Sequence, residues 1–157
     1  MENQMRFKQY AMEEAVVADF LRQGLVGRLG TVCNDGFPYI VPVHYVYYAD
    51  KIYFHCAKIG HKMKNINNDS RVCFEVDEML HVEDNPDPCE ATTIYKSVVI
   101  FGQAQIIDEA AERTNILEQI VHKYLPARDG VVFDEKTLSA TNVIAITIEQ
   151  ITGKSNE

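Results

Sequence analysis

Between positions 12 and 21 the apolar residues recur at helical spacing. Met12, Val16, Val17, Phe20 and Leu21 share one face, and Gly24 is placed to end the helix. The period then changes to two. Leu29, Thr31 and Cys33 alternate with Arg28, Gly30 and Val32 as far as Asn34-Asp35-Gly36. That turn sequence joins hairpin strands because its residues tolerate positive φ. The run 39–48 predicts the second strand, and 51–56, after an Ala49-Asp50 turn, the third. A short helix over 61–67 follows Gly60, and 71–77 predicts a fourth strand. Two prolines and several acids make 78–90 a surface loop, and 94–107 is a long strand bent near Gly102. Asp108 is placed to cap the next helix, with Glu109 and Glu112 near its positive end. Its buried stripe is Ile116, Leu117, Ile120, Val121 and Tyr124, Pro126 follows its end, and 143–151 is the last strand.

Six or so mostly sequential strands with helices at the margins predict a mainly β fold. An antiparallel β-barrel with flanking helices fits that order better than a parallel α/β sheet. No repeat, low-complexity tract or linker interrupts the chain, so 1–157 reads as one domain. Pro42 is informative within its strand. Proline cannot donate to a ladder, so it marks an edge, a bulge or a place where the backbone serves a ligand.

Composition narrows the function. An apolar fraction of 46% and a charged fraction of 24% are those of a globular protein. The net charge of −8 excludes broad binding to nucleic acid or anionic membrane, since both need a cationic surface. Any bound phosphate therefore needs a local cationic pocket. No apolar run is long enough to span a bilayer. The N-terminal segment carries acids where a signal peptide needs an apolar stretch, so a cytoplasmic location is expected. Cys33, Cys56, Cys73 and Cys89 form no CxxC pair, which removes the spacing of structural zinc, and buried reduced thiols are expected.

The stretch HCAKIGHKMKNI, 55–66, carries the most chemistry. A strand ends near Cys56 and a helix starts at Gly60-His61-Lys62. Free N–H groups and the helix dipole favour an anion there, and Lys58, Lys62 and Lys64 add cations. His44 shares a strand face with Ile40, Pro42 and Val46, and His55 is opposite in parity to Phe54 and Cys56. Either histidine is a core or rim residue or a contact to a ligand, and titration near neutral pH makes both candidates for proton chemistry. His81 lies in the acidic loop and His122 near a helix C-terminus, where solvation and the dipole account for them. Gly-x-Ser-x-Gly, P-loop and Rossmann fingerprints are absent.

Taken together, the segments 27–66, SRVCFEVDE, YKSVVIFGQAQII and the terminal IEQITGK resemble the pyridoxamine-phosphate-oxidase-like FMN-binding proteins. Within them they are similar to the branch related to 5-nitroimidazole-resistance proteins. The resemblance covers about 6–154 and implies a Greek-key-like split barrel with FMN bound at a homodimer interface. It implies a phosphate contact at His61 and Lys62, with Cys56 and Ala57 lining the approach. The backbone at Val41, Pro42 and Val43, with His44 beside it, is implied to run along the flavin ring. Residues 95–98, Ser97 among them, are implied to reach the flavin from the partner subunit.

Two departures from the family pattern shift the expected function. Pyridoxamine-phosphate oxidases have an arginine in the phosphate turn where this chain has His61, and guanidinium is permanently charged and bidentate. They also carry an Arg/His substrate clamp near the C-terminus, which ITGKSNE lacks. The resemblance therefore points to an FMN-dependent reductase or oxidoreductase of small molecules, nitro-aromatics among them. NADH or NADPH would be the electron donor and His55 the catalytic residue. The alternatives are a flavin-binding or redox-sensing protein without turnover, and a split barrel that binds haem or a deazaflavin.

Overall fold

The computed structural model describes residues 8–128 and 130–157. Seven strands form one antiparallel sheet: β1 (Gly27–Val32), β2 (Pro38–Val43), β3 (Val46–Tyr48), β4 (Lys51–Ala57), β5 (Arg71–Glu83), β6 (Thr92–Ile106) and β7 (Thr141–Ser155). Their spatial order is β2-β1-β5-β6-β7-β4-β3, a Greek-key-like arrangement. Helices α1 (Glu14–Gln23), α2 (His61–Asn68), α3 (Ala110–Tyr124) and α4 (Glu135–Ala140) flank it.

The two edges of the sheet are consecutive in sequence. Only His44 and Tyr45 separate the end of β2 from the start of β3. Three peptide steps span at most about 11 Å, so the sheet must curl until its edges meet at that corner. β1 pairs with β2 and β5, and β4 with β3 and β7, but no ladder joins β2 to β3. The barrel is thus closed by chain continuity and open along a seam: it is a split barrel.

Leu29, Ile52, Phe54, Phe74, Ile100 and Ile146 fill the interior, all fully buried. On β4 and β7 the opposite parity is buried too. Tyr53, Val143 and Ala145 lie on the outer face beneath Ile116, Leu117 and Ile120 of α3. Burial of both faces explains the unbroken apolar run at 143–146. Near the middle of β6 the register shifts between Phe101 and Gly102. A Cβ at Gly102 would lie 2.2 Å from the Thr147 carbonyl oxygen, so the sheet bends where only glycine fits.

Several sequence expectations change. The run 39–48 is two strands, because the chain turns at the seam and directs Tyr45 into the core, where its hydroxyl donates to the Leu21 carbonyl at 2.8 Å. His44 therefore does not continue a strand face into Val46. The expected loop at 78–90 is strand as far as Glu83, paired with β6 through Thr92. Glu109, not Asp108, caps α3, accepting from the N–H groups of Ala111 and Glu112 at 2.9 and 2.5 Å. These bonds hold the Glu109 carboxyl below its usual range. Val16 is exposed, and Val121 and Tyr124 are half-buried. Helix α4, capped by Asp134, lies where no element was expected, and β7 is longer than 143–151. All four cysteines are free, but only Cys56 is buried; Cys33 and Cys73 are half-buried and Cys89 is exposed.

Candidate functional site at the seam

The end of β2, the end of β4, the start of β7 and the first turn of α2 border an open cavity of about 440 Å³. Pro42, Val43, His44, His55, Cys56, Ala57 and Lys62 line it, with Ala140 and Thr141. Each arrives for a local reason. Pro42 lies on β2, an edge strand with no fully buried position, so its missing N–H breaks no outer ladder. Cys56 and Ala57 end β4 opposite Asn142 and Thr141. Gly60 adopts φ +138°, a region that favours glycine, and turns the chain from β4 into α2. It has no side chain to cap α2, so the first N–H groups of the helix remain available to an anion beside Lys62.

His55 has the outward parity of Tyr53 and faces α3. Together with His44 and Thr141 it lines both this cavity and a second one of about 510 Å³. The second cavity is mainly apolar, with Leu117, Ile120, Tyr124 and Phe133 in its wall. The His55 ring has an exposed side, yet the protein packed around it desolvates the imidazolium and lowers its pKa. The nearby charges of His44 and Lys62 act in the same direction, so the neutral ring is favoured at pH 7. Burial also pushes the Cys56 thiol up, against the opposing effect of Lys62. The His44 ring stacks on Tyr124, with centroids 4.6 Å apart. That partner, 80 positions away in the chain, had no signal in the sequence beyond its place in the α3 stripe.

The structure thus gathers seven of the expected site residues around one cavity and sets the others apart. Val41 is on β2, packed against the core instead of lining the cavity. Ser97 is on β6, between Asp77 and Lys154. His61 is not in the wall of this cavity. Its ring stacks on Tyr39 at 4.3 Å with 11° between planes, and its Nε2 lies 3.1 Å from Cys33 Sγ. Among the described residues no group of three or more His, Cys, Asp or Glu side chains could hold a metal ion. No helix among them is long and apolar enough to cross a membrane.

Fold and cavity together define a split-barrel protein with an open cavity at its seam. The chain belongs to the pyridoxamine 5'-phosphate oxidase family, whose model matches residues 13–155. Among solved structures, it is similar to the flavocytochrome Anf3 from Azotobacter vinelandii, with a TM-score of 0.87, 20% identity, and coverage of 98% of this chain and 72% of that one. It is also similar to an FAD- and haem-binding protein from Mycobacterium smegmatis, with a TM-score of 0.85, 19% identity, and coverage of 94% and 74%. A candidate 5-nitroimidazole antibiotic-resistance protein from Bacteroides thetaiotaomicron gives a TM-score of 0.80 at 21% identity, covering 92% and 85%. No curated protein sequence matches the chain.

Proposed function

We propose that this protein is an FMN-dependent oxidoreductase of small molecules, with the flavin held in the seam cavity of a homodimer. The observation that carries the reading is the junction of β4 and α2. An uncapped helix start with Lys62 in its first turn opens onto a cavity walled by an edge strand in an otherwise acidic protein. This donor set fits a phosphate-bearing planar group. Lys62 and the α2 N-terminus would hold the phosphate, with Pro42, Val43, Cys56 and Ala57 beside the ring. His61 would contribute only by turning from Cys33, and Ser97 only from the partner subunit. Bound there, FMN would supply the redox chemistry that no side chain of this site provides.

The chain's own residues bind, orient and move protons. The apolar wall of the second cavity suits a small aromatic substrate, nitro-aromatics included. His55 stands where the two cavities join, and its neutral ring can pass one proton to the substrate or orient it. NADH or NADPH is the proposed electron donor. The visible spectrum of freshly purified protein, with mass identification of the ligand after denaturation, tests the cofactor. Loss of turnover with flavin retained in His55→Ala tests the histidine; unchanged turnover removes it from the mechanism.

A second reading has its own observation. Two histidines bordering an apolar cavity is also a setting for a haem, and two of the similar structures are a flavocytochrome and a haem-binding protein. The same spectrum decides between them, because haem shows an intense Soret band where flavin does not.

A further inference from the structure

The four cysteines occupy different environments. Cys56 is buried against Met63 Sδ at 3.4 Å, and burial pushes its thiol up. Cys73 is half-buried, and its thiol is pushed up by burial and by Glu75. Cys89 is exposed in the acidic loop, beside Glu90, with its N–H on Asp87. Cys33 is half-buried at the rim and has His61 Nε2 at 3.1 Å from its sulfur.

The contact is held from every side. The backbone of Cys33 is pinned in the hairpin turn, donating to the Phe37 carbonyl and accepting from Gly36, both at 2.8 Å. Stacking on Tyr39 fixes the His61 ring. One helical turn further along α2, Asn65 is 1% exposed. Its amide donates to Thr31 Oγ1 at 2.9 Å and lies 3.6 Å from the same sulfur. A nitrogen base and a buried amide donor thus converge on one half-buried thiol, the arrangement that activates a sulfur nucleophile. His61 also lines a groove of about 620 Å³ whose wall includes Lys58, Lys64 and Asn67. Its lysines suit a ligand carrying carboxylates.

We infer that Cys33 is a nucleophilic thiol, served by His61 as base, that forms mixed disulfides with small carboxylate-bearing disulfides. His61 Nε2 takes the thiol proton as Cys33 Sγ attacks one sulfur of R–S–S–R. The Cys33–S–S–R bond forms and the original S–S bond breaks. The departing R–S⁻ takes the proton from His61 and leaves as a thiol. The Cys33 sulfur is oxidised and the leaving sulfur is reduced to the same extent, so no other oxidant is needed. The adduct also displaces His61 from the sulfur at the start of α2.

The test uses the full chain as purified, incubated with oxidised glutathione at neutral pH, quenched, and mapped by peptide mass spectrometry. Cys33 should be modified about tenfold faster than Cys89, the surface thiol without a base in contact. With cystamine, a cationic disulfide, the ratio of Cys33 to Cys89 should fall, because the lysines repel it and the acidic loop attracts it. His61→Asn should bring Cys33 close to the Cys89 rate, with continued protection of Cys56 showing that the fold is intact. Where that variant loses Cys56 protection, His61→Gln is read in its place by the same criterion. Equal Cys33 and Cys89 rates, or an unslowed Cys33 in a folded His61 variant, would overturn the inference.

Discussion

The hydroxyl of Tyr124 accepts the backbone N–H of Tyr45 at 2.9 Å, across 79 positions of sequence. The same oxygen lies 2.8 Å from the Leu25 carbonyl and 2.9 Å from that of Tyr45, one of which takes its proton. The end of α3 is thereby fastened to the corner where β2 gives way to β3. The Tyr124 ring then serves as the floor on which His44 stacks.

Removing this hydroxyl should be costly. Tyr124→Phe leaves a partly buried N–H without its partner and should destabilise the fold by about 1–3 kcal/mol in urea unfolding. The retained ring should keep His44 stacked, so flavin affinity should change less than stability does.

Lys62→Ala should weaken FMN binding about tenfold or more in a fluorescence titration, the scale of one hydrogen bond to a charged group. Raising the salt concentration should weaken the wild type and affect the variant less. Equal affinities would place the phosphate elsewhere.

Ile40 is 66% exposed on the edge strand β2, three positions after Phe37, which is exposed as well. If the proposed homodimer covers this face, Ile40→Glu should shift the protein to monomer in light scattering and lower the content of any bound flavin. A dimer that survives the substitution assigns the interface to another surface.

Gly102→Ala forces a methyl group onto the Thr147 carbonyl oxygen, part of a neighbouring strand's backbone. The expected loss is about 3 kcal/mol, measured by denaturant unfolding.

Lys123 donates to the Gly24 carbonyl at 2.6 Å and lies 4.2 Å above the Tyr45 ring, contacts that favour its charge. Burial opposes them and lowers its pKa from 10.5 to about 8. Between those values the unfolded chain holds a proton that the folded chain has released, so the contribution of Lys123 to stability rises with pH across that window. Below pH 8 both states are protonated and the cost of desolvating the cation is fully present. Lys123→Met should flatten the rise, read as the difference between wild-type and variant melting temperatures from pH 7 to about 10.5.

Much of this architecture was legible in the sequence because its signals are local. Asn34-Asp35-Gly36 marks its hairpin, Gly36 taking φ +86°. Pro42 marks a strand that does lie at an edge, and Ile116, Leu117 and Ile120 mark the buried face of α3. The failures have the opposite character. Residues 77–83 are exposed and carry no alternating burial, so only their pairing with β6 shows that they are strand. Helix α4 buries no side chain, although Asp134 followed by Thr137 was a readable cap. The strand break at His44-Tyr45 was hidden because apolar character continues through it. In the site, the 55–66 stretch exposed its two histidines and its lysines directly. The meeting of Cys33 with His61, 28 positions apart, depends on the long-range placement of α2 against β1.

The seam between β2 and β3 has a mechanical consequence. A closed barrel can widen only by breaking ladder hydrogen bonds, whereas here the two margins are joined by two residues and a tyrosine clasp. The girth of the cavity can therefore change without breaking a ladder, and a ligand held there as proposed would be matched in thickness by movement of the margins alone. The paired strands would set where such a guest sits, and the unsewn edge how large it can be.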